Sequence, residues 1–281
     1  MNTRGPIKLR GNCSGSDEKM WNLQTISALL LNKQATSLIK KGTFPNIKRI
    51  RLKVVSGNNN ELSNLLQSLQ QLTHLYKLGI LLRDRYDIGV DSINESVERN
   101  NGCKPQELLQ SLGQFSCLTV LNIINALDLL TCALTFPPNL IELTLRGINW
   151  ITDEGMNGLE SHTKLKILRI SGDLISSRNF FDLNCVGCGF PRLEVFEMEY
   201  LNVGEWRLDT DAMPRLKSLV IIHCERLKDL PNELWCLSGL RKVEITKPSN
   251  QMARMLQNLE IGNRIQLVID DPEIFIFKSK F

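Results

Sequence analysis

At 281 residues, with 42% apolar, 23% charged and only 6% aromatic side chains, the chain has the composition of a folded protein whose core is built from Leu and Ile rather than large rings. No run of about 18 apolar residues occurs, which excludes a membrane-spanning helix. The opening MNTRGPIKLRGNCSGSDEK lacks the apolar stretch of a secretory signal, so a cytoplasmic location with reduced cysteines is expected.

In chain order, residues 1–19 read as an N-terminal segment, polar and rich in Lys and Arg. From residue 20 a template recurs: apolar–x–x–apolar–x–x–apolar–x–apolar. A weak opening copy is Met20, Leu23, Ile26, Ala28. Full copies follow at Phe44, Ile47, Ile50, Leu52 and at Leu72, Leu75, Leu78, Ile80. Between them, residues 61–71 (ELSNLLQSLQQ) carry apolar side chains at helical spacing. Residues 83–105 are polar and aperiodic, and read as a looped-out insertion that is the most mobile internal stretch. A second helix is expected over 106–112 (QELLQSL).

The template resumes at Phe115, Leu118, Leu121, Ile123, then in three of its four places at Leu140, Leu143, Leu145 and at Leu165, Leu168, Ile170. Full copies return at Phe190, Leu193, Phe196, Met198, at Met213, Leu216, Leu219, Ile221 and at Leu237, Leu240, Val243, Ile245. Pro45, Pro137, Pro138, Pro191 and Pro214 all fall just before an expected strand, where a missing N–H costs no ladder bond.

The second template positions, 23, 47, 75, 118, 140, 165, 193, 216 and 240, step by 24, 28, 43, 22, 25, 28, 23 and 24 residues. All but one interval fall in the 20–29 residue period of leucine-rich repeats. The last two apolar places of each copy are two apart, so both point inward from one strand. No single copy can bury its leucines alone, but stacked copies share one core. An α/β solenoid is therefore expected over residues 20–281: a horseshoe arc of about nine to ten repeats, a parallel sheet on its concave side, and short helices or loops on its convex side.

Alternation places Arg49, Arg51, Lys53, Lys77, Asn122, Thr144, Arg146, Arg169, Ser171, Glu197, Glu199, Glu244 and Thr246 outward, as the candidate partner-binding face. Residues 1–53 hold eleven Lys or Arg against Asp17 and Glu18, so the remainder of a chain of net charge +4 is acidic. This basic end predicts an acidic partner there, or a docking surface for another domain.

Residues 221–245, IIHCERLKDLPNELWCLSGLRKVEI, resemble the repeat of plant intracellular disease-resistance proteins, the coiled-coil class of nucleotide-binding leucine-rich-repeat receptors. Ile221, Cys224, Leu227, Leu230, Pro231, Leu234, Leu237, Leu240 and Ile245 carry the likeness. MWNLQTI at 20–26 and FPNIKRIRL at 44–52 are similar to the same family's first repeats. The resemblance implies protein recognition in plant immunity, with a pathogen effector or a guarded host protein as partner. The family's phosphate loop, G-x-x-x-x-G-K-[ST], does not occur, so nucleotide switching is not implied and the chain is expected to be the repeat domain alone.

No residue set points to catalysis, a cofactor, a metal, nucleic acid or a membrane. Cys185 and Cys188 form a lone CxxC without a second ligand pair. His74, His162 and His223 are dispersed, and Cys224 beside His223 occupies an inward place. Cys117, Cys132, Cys224 and Cys236 lie in or beside apolar stretches and are expected to be buried thiols. A generic leucine-rich-repeat adaptor, such as the substrate arm of a ubiquitin ligase, is the alternative reading. It would call for an F-box-like helical segment ahead of the repeats.

Overall fold

The computed structural model describes residues 19–54, 59–82, 112–125, 135–148, 151–172, 181–259, 264–271 and 274–278. They fall in two compact units, Met1–Asn125 with Pro137–Asn139 and Ala126–Phe136 with Leu140–Phe281. Among the described residues no helix is long and apolar enough to cross a membrane. The expected insertion at 83–105 lies outside the described residues, as do most of the N-terminal segment and of the helix expected over 106–112.

The first unit contains β1 (Thr25–Leu30), α1 (Lys33–Lys40), β2 (Arg49–Lys53), α2 (Asn59–Leu69), β3 (Lys77–Leu81) and β4 (Val120–Ile124). Its strands pair in parallel in chain order. Ile26, Ile50, Leu78 and Leu121 form one inward row, and Leu29, Leu52, Ile80 and Ile123 a second, all buried. These are the template positions, with one correction. A register shift between Ile26 and Leu29 turns Leu29 inward in place of the expected Ala28. The bulge swaps a methyl for a larger apolar side chain, at a copy whose Met20 is 52% exposed.

Helix α2 matches the stretch expected at 61–71, and its buried Leu62, Leu65, Leu66 and Leu69 follow the i, i+3, i+4, i+7 spacing of a one-faced helix. Helix α1 starts where Asn32 Oδ1 accepts the Ala35 amide at 2.8 Å, and it packs against α2. Two proline turns are tied backward as well. Asn46 Nδ2 donates to the Trp21 carbonyl at 2.9 Å, and Asn139 Nδ2 to the Ser116 carbonyl at 2.6 Å.

The second unit contains β5 (Glu142–Ile148), α3 (Asp153–Glu160), β6 (Ile167–Gly172), β7 (Phe181–Cys185), β8 (Val195–Glu199), β9 (Val203–Leu208), β10 (Ser218–Ile222), α4 (Asn232–Cys236), β11 (Lys242–Thr246), α5 (Asn250–Asn258), β12 (Gln266–Asp271) and β13 (Ile274–Lys278). Strands β5, β6, β8, β10, β11 and β12 run parallel, with inward rows Leu143–Leu168–Phe196–Leu219–Val243–Leu267 and Leu145–Ile170–Met198–Ile221–Ile245–Ile269. Strand β13 pairs antiparallel with β12, a departure from the all-parallel expectation. Strands β7 and β9 pair only with each other among the described residues, and the template did not foresee them.

The small sheet covers the inward side of the ladder. Phe196 of β8 meets the Trp206 ring of β9 edge-on, with centroids 6.0 Å apart, and Phe190 at 6.3 Å. Gly172 is required where β6 ends, because a Cβ there would stand 2.1 Å from the Tyr200 carbonyl oxygen. Two cysteine expectations are corrected: Cys117 and Cys236 are exposed, because Cys117 lies in the bend ahead of β4 and Cys236 ends the short helix α4, neither of them on an inward strand position. Cys132 lies outside the described residues.

Glu160, at the end of α3, is buried against β7, and the Cys185 thiol and Val186 amide hydrogen-bond to it. Loss of water outweighs those bonds and pushes its carboxyl up to about 7, while Oε1 has no partner. Folded Glu160 keeps its proton at a pH where the unfolded chain has released it, so this site favours folding most below about 4.5 and loses that advantage as pH rises through about 7. Over that window the loss is on the order of 3 kcal/mol. Glu160→Gln lacks it. In thermal melts the variant's stability relative to wild type should rise with pH between those limits, and parallel curves would refute the assignment.

Phe196→Ala should cost about 3–5 kcal/mol in urea denaturation, since it removes the ring shared by Phe190 and Trp206. A loss under 1 kcal/mol would show that the two sheets do not depend on that contact.

Candidate recognition surface

The strands alternate, so residues between the inward rows are carried outward. In the first unit Thr25, Arg49, Lys77 and Val120 share one outward row; Arg51, Gly79 and Asn122 share a second; Leu30, Lys53, Leu81 and Ile124 share a third. Arg49 and Arg51 are exposed, and Lys53, Lys77 and Asn122 are half-buried. Adjacent strands stand about 4.8 Å apart, so four cations are drawn onto two neighbouring strands. Among the described residues no ion pair reaches them. Arg49 Nε donates to Thr25 Oγ1 at 3.2 Å. A Cβ at Gly79 would sit 3.4 Å from Arg51 Cγ, so the missing side chain leaves room for the arginine stem. Asn122 Oδ1 is buried without a partner.

In the second unit the outward rows are Glu142–Ile167–Val195–Ser218–Lys242–Gln266, Thr144–Arg169–Glu197–Val220–Glu244–Val268 and Arg146–Ser171–Glu199–Ile222–Thr246–Asp270. Here the expected residues are tied together. Arg169 Nη1 donates to Glu142 Oε1 at 2.8 Å and its Nε to Glu197 Oε2 at 3.1 Å, with all three side chains about 70% covered. Lys242 Nζ reaches Glu244 Oε2 at 2.5 Å. Arg146 is exposed, and Thr144, Ser171, Glu199 and Thr246 are half-buried along the same rows.

At the ends of β8 and β10 the backbone turns left-handed, with φ of 52° at Tyr200 and 53° at His223, and their rings stack at 4.6 Å. Lys247 repeats the conformation after β11. The stack marks the rim of the outward face, and sequence patterning gave no signal for it.

Sequence reasoning selected polar outward places and passed over Val120, Ile124, Ile167, Val195, Val220, Ile222 and Val268, although the same alternation puts them on that face. It also missed Glu142, the second partner of Arg169. Cys224 is a packing thiol. Burial pushes it up to about 11, and its Sγ contacts the Ile222 carbonyl at 3.6 Å. Cys185 and Cys188 are separated by environment, the first fully buried and the second exposed.

No family model matches the chain. Its curated relatives are plant disease resistance proteins. An RPP8-like protein of Arabidopsis thaliana is 30% identical over 122 residues, 43% of this chain and 13% of that protein. Disease resistance protein RPP8 of Arabidopsis thaliana is 32% identical over 112 residues, 39% of this chain and 12% of that protein. The late blight resistance protein homolog R1B-16 of Solanum demissum is 27% identical over 71 residues, 25% of this chain and 6% of that protein. The matched stretch thus spans only 13% or less of the length of these relatives.

Arg169 gives a test of how tightly the acidic face is organised. Arg169→Leu should cost about 1 kcal/mol at low salt, and the cost should shrink as salt screens the two freed carboxylates. Equal stability of variant and wild type in urea at low salt would mean that the bridge from Glu142 to Glu197 contributes nothing.

Proposed function

We propose that this chain, whose curated relatives are plant disease resistance proteins, is a non-catalytic protein-recognition module of intracellular plant immunity. The fold under this proposal is a leucine-rich-repeat solenoid, a horseshoe arc with the outward rows on its concave side. Inward rows at the template positions of both units support it. The observation that carries the functional reading is the match to disease resistance proteins over two-fifths of the chain. It is joined by a ladder face that presents charge in an ordered array.

In this reading the module works in the cytoplasm, without cofactor, nucleic acid or membrane. Its partner is a pathogen effector or a guarded host protein. The partner-binding residues are Arg49, Arg51, Lys53, Lys77, Asn122, Thr144, Arg146, Arg169, Ser171, Glu197, Glu199, Glu244 and Thr246. A nucleotide-binding module, in cis or in trans, docks by charge on the basic strands β2 and β3. Side chains held between neighbouring strands lose little further freedom on binding, which favours affinity from a preformed face.

The experiment mixes residues 1–281 with the purified nucleotide-binding module of a receptor of this family and measures association across a salt series. Association should weaken as ionic strength rises and fall at least about tenfold when Arg49, Arg51 and Lys53 become Glu. Glu197→Lys with Glu199→Lys should leave that association unchanged, since those acids are assigned to the effector or guarded protein. Binding indifferent to the basic-strand reversals, or no binding at low salt, would defeat the docking assignment.

A further inference from the structure

The two-stranded sheet of the second unit has one edge that no other described residue of the unit pairs with. Leu183 stands opposite Trp206, Asn184 opposite Arg207 and Cys185 opposite Leu208. On the β7 side, the Glu205 amide donates to Asp182 Oδ1 at 3.0 Å and the Asp209 amide to the Cys185 carbonyl at 3.0 Å. Peptide groups alternate in direction along a strand, so those of Trp206 and Leu208 point to the opposite edge of β9. Among the described residues no strand pairs there. That edge opens on a groove of about 630 Å³, bounded by Gly204–Asp209 on one side and Lys228–Glu233 on the other. Among the described residues no backbone hydrogen bond crosses it.

The groove's chemistry selects an occupant. Open N–H and C=O groups on a strand edge are satisfied by another extended chain, about 4.8 Å away. The walls carry the carboxylates of Glu205, Asp209, Asp229 and Glu233 against Arg207 and Lys228. Arg207 is already held by Glu205 at 2.7 Å, which leaves an acidic excess. We propose that the open edge of β9 takes an extended segment of a partner polypeptide with Lys or Arg at alternate positions, added as a third strand to β7 and β9. This surface is separate from the outward rows. The Phe196–Trp206 contact puts the small sheet on the inward side of the ladder, so the inference does not depend on the recognition face assigned above.

The experiment uses the full chain. Amide exchange followed by NMR should find the Trp206 and Leu208 amides unprotected while Asp209 is protected. A synthetic peptide of alternating Lys and Val should then bind saturably and protect Trp206 and Leu208. High salt, and separately Glu205→Lys with Glu233→Lys, should each weaken binding about tenfold or more. The same peptide N-methylated on its edge-facing amides should not bind, an arm that needs only the wild-type chain. Glu197→Lys with Glu199→Lys should leave peptide binding unchanged, which separates this site from the outward face. Protection of Trp206 and Leu208 in the free chain would overturn the proposal. So would failure of the peptide to bind, equal binding of the N-methylated form, or protection confined to the outward strands.

Discussion

The structure depends on one recurring backbone contact, two consecutive amides of an incoming strand sharing a single carbonyl of the strand before it. Lys48 and Arg49 donate to the Gln24 oxygen, and Tyr76 and Lys77 to that of Lys48. In the second unit Lys166 and Ile167 donate to Ile141, Glu194 and Val195 to Lys166, Lys217 and Ser218 to Glu194, and Arg241 and Lys242 to Lys217. These contacts fix the register before any side chain is considered. A slip of one residue would send every inward leucine to solvent and every outward charge into the core. With register set, the apolar rows follow, and so does the assembly of cations on β2 and β3 or of Glu142, Arg169 and Glu197 on three neighbouring strands.

Much of this was legible in the sequence because the template encodes a geometry rather than a composition. Leu78 and Ile80, or Leu219 and Ile221, are two apart for the same reason that strand side chains alternate, and the positions between them follow without further information. The bulge at β1 was not legible. Ala28 and Leu29 are both apolar, and the choice between them is made by which side chain fills the end of the core. The pairing of β7 with β9 was hidden for a different reason. Phe181–Cys185 and Val203–Leu208 lie in the intervals between template copies; Phe181, Leu183 and Cys185 alternate as strand residues do, but the repeat's spacing carries no expectation for them. The template marks Phe196 as inward, but not that its ring meets Trp206 of β9.

The polar and the aliphatic residues of the candidate face differ in how plainly sequence marks them. Polar residues on a strand advertise an outward position, whereas a β-branched residue is equally at home on either face. Register places Val220 between Glu197 and Glu244, Ile222 between Glu199 and Thr246, and Val195 between Ile167 and Ser218. The ion pairs depend on cross-strand distance, which sequence does not supply: Arg169 is 27 residues from Glu142 and 28 from Glu197, and only the ladder makes them adjacent.

That mixture bears on what the face can recognise. A surface of charges alone would steer a partner and be weakened by salt, but would contribute little once exposed pairs are hydrated. A surface of aliphatic residues alone would bind without discrimination. The second unit interleaves them, so that Arg169 is about 70% covered by its surroundings while still ordered by two carboxylates. A partner that covers this row must satisfy the freed hydrogen-bond capacity of Glu142 and Glu197 or leave it unpaired in a drier environment, at a cost of about 1–3 kcal/mol for each group. Selectivity on such a face comes from the penalty for a wrong partner as much as from the gain for a right one. The apolar side chains between the charges supply the area that makes the penalty count.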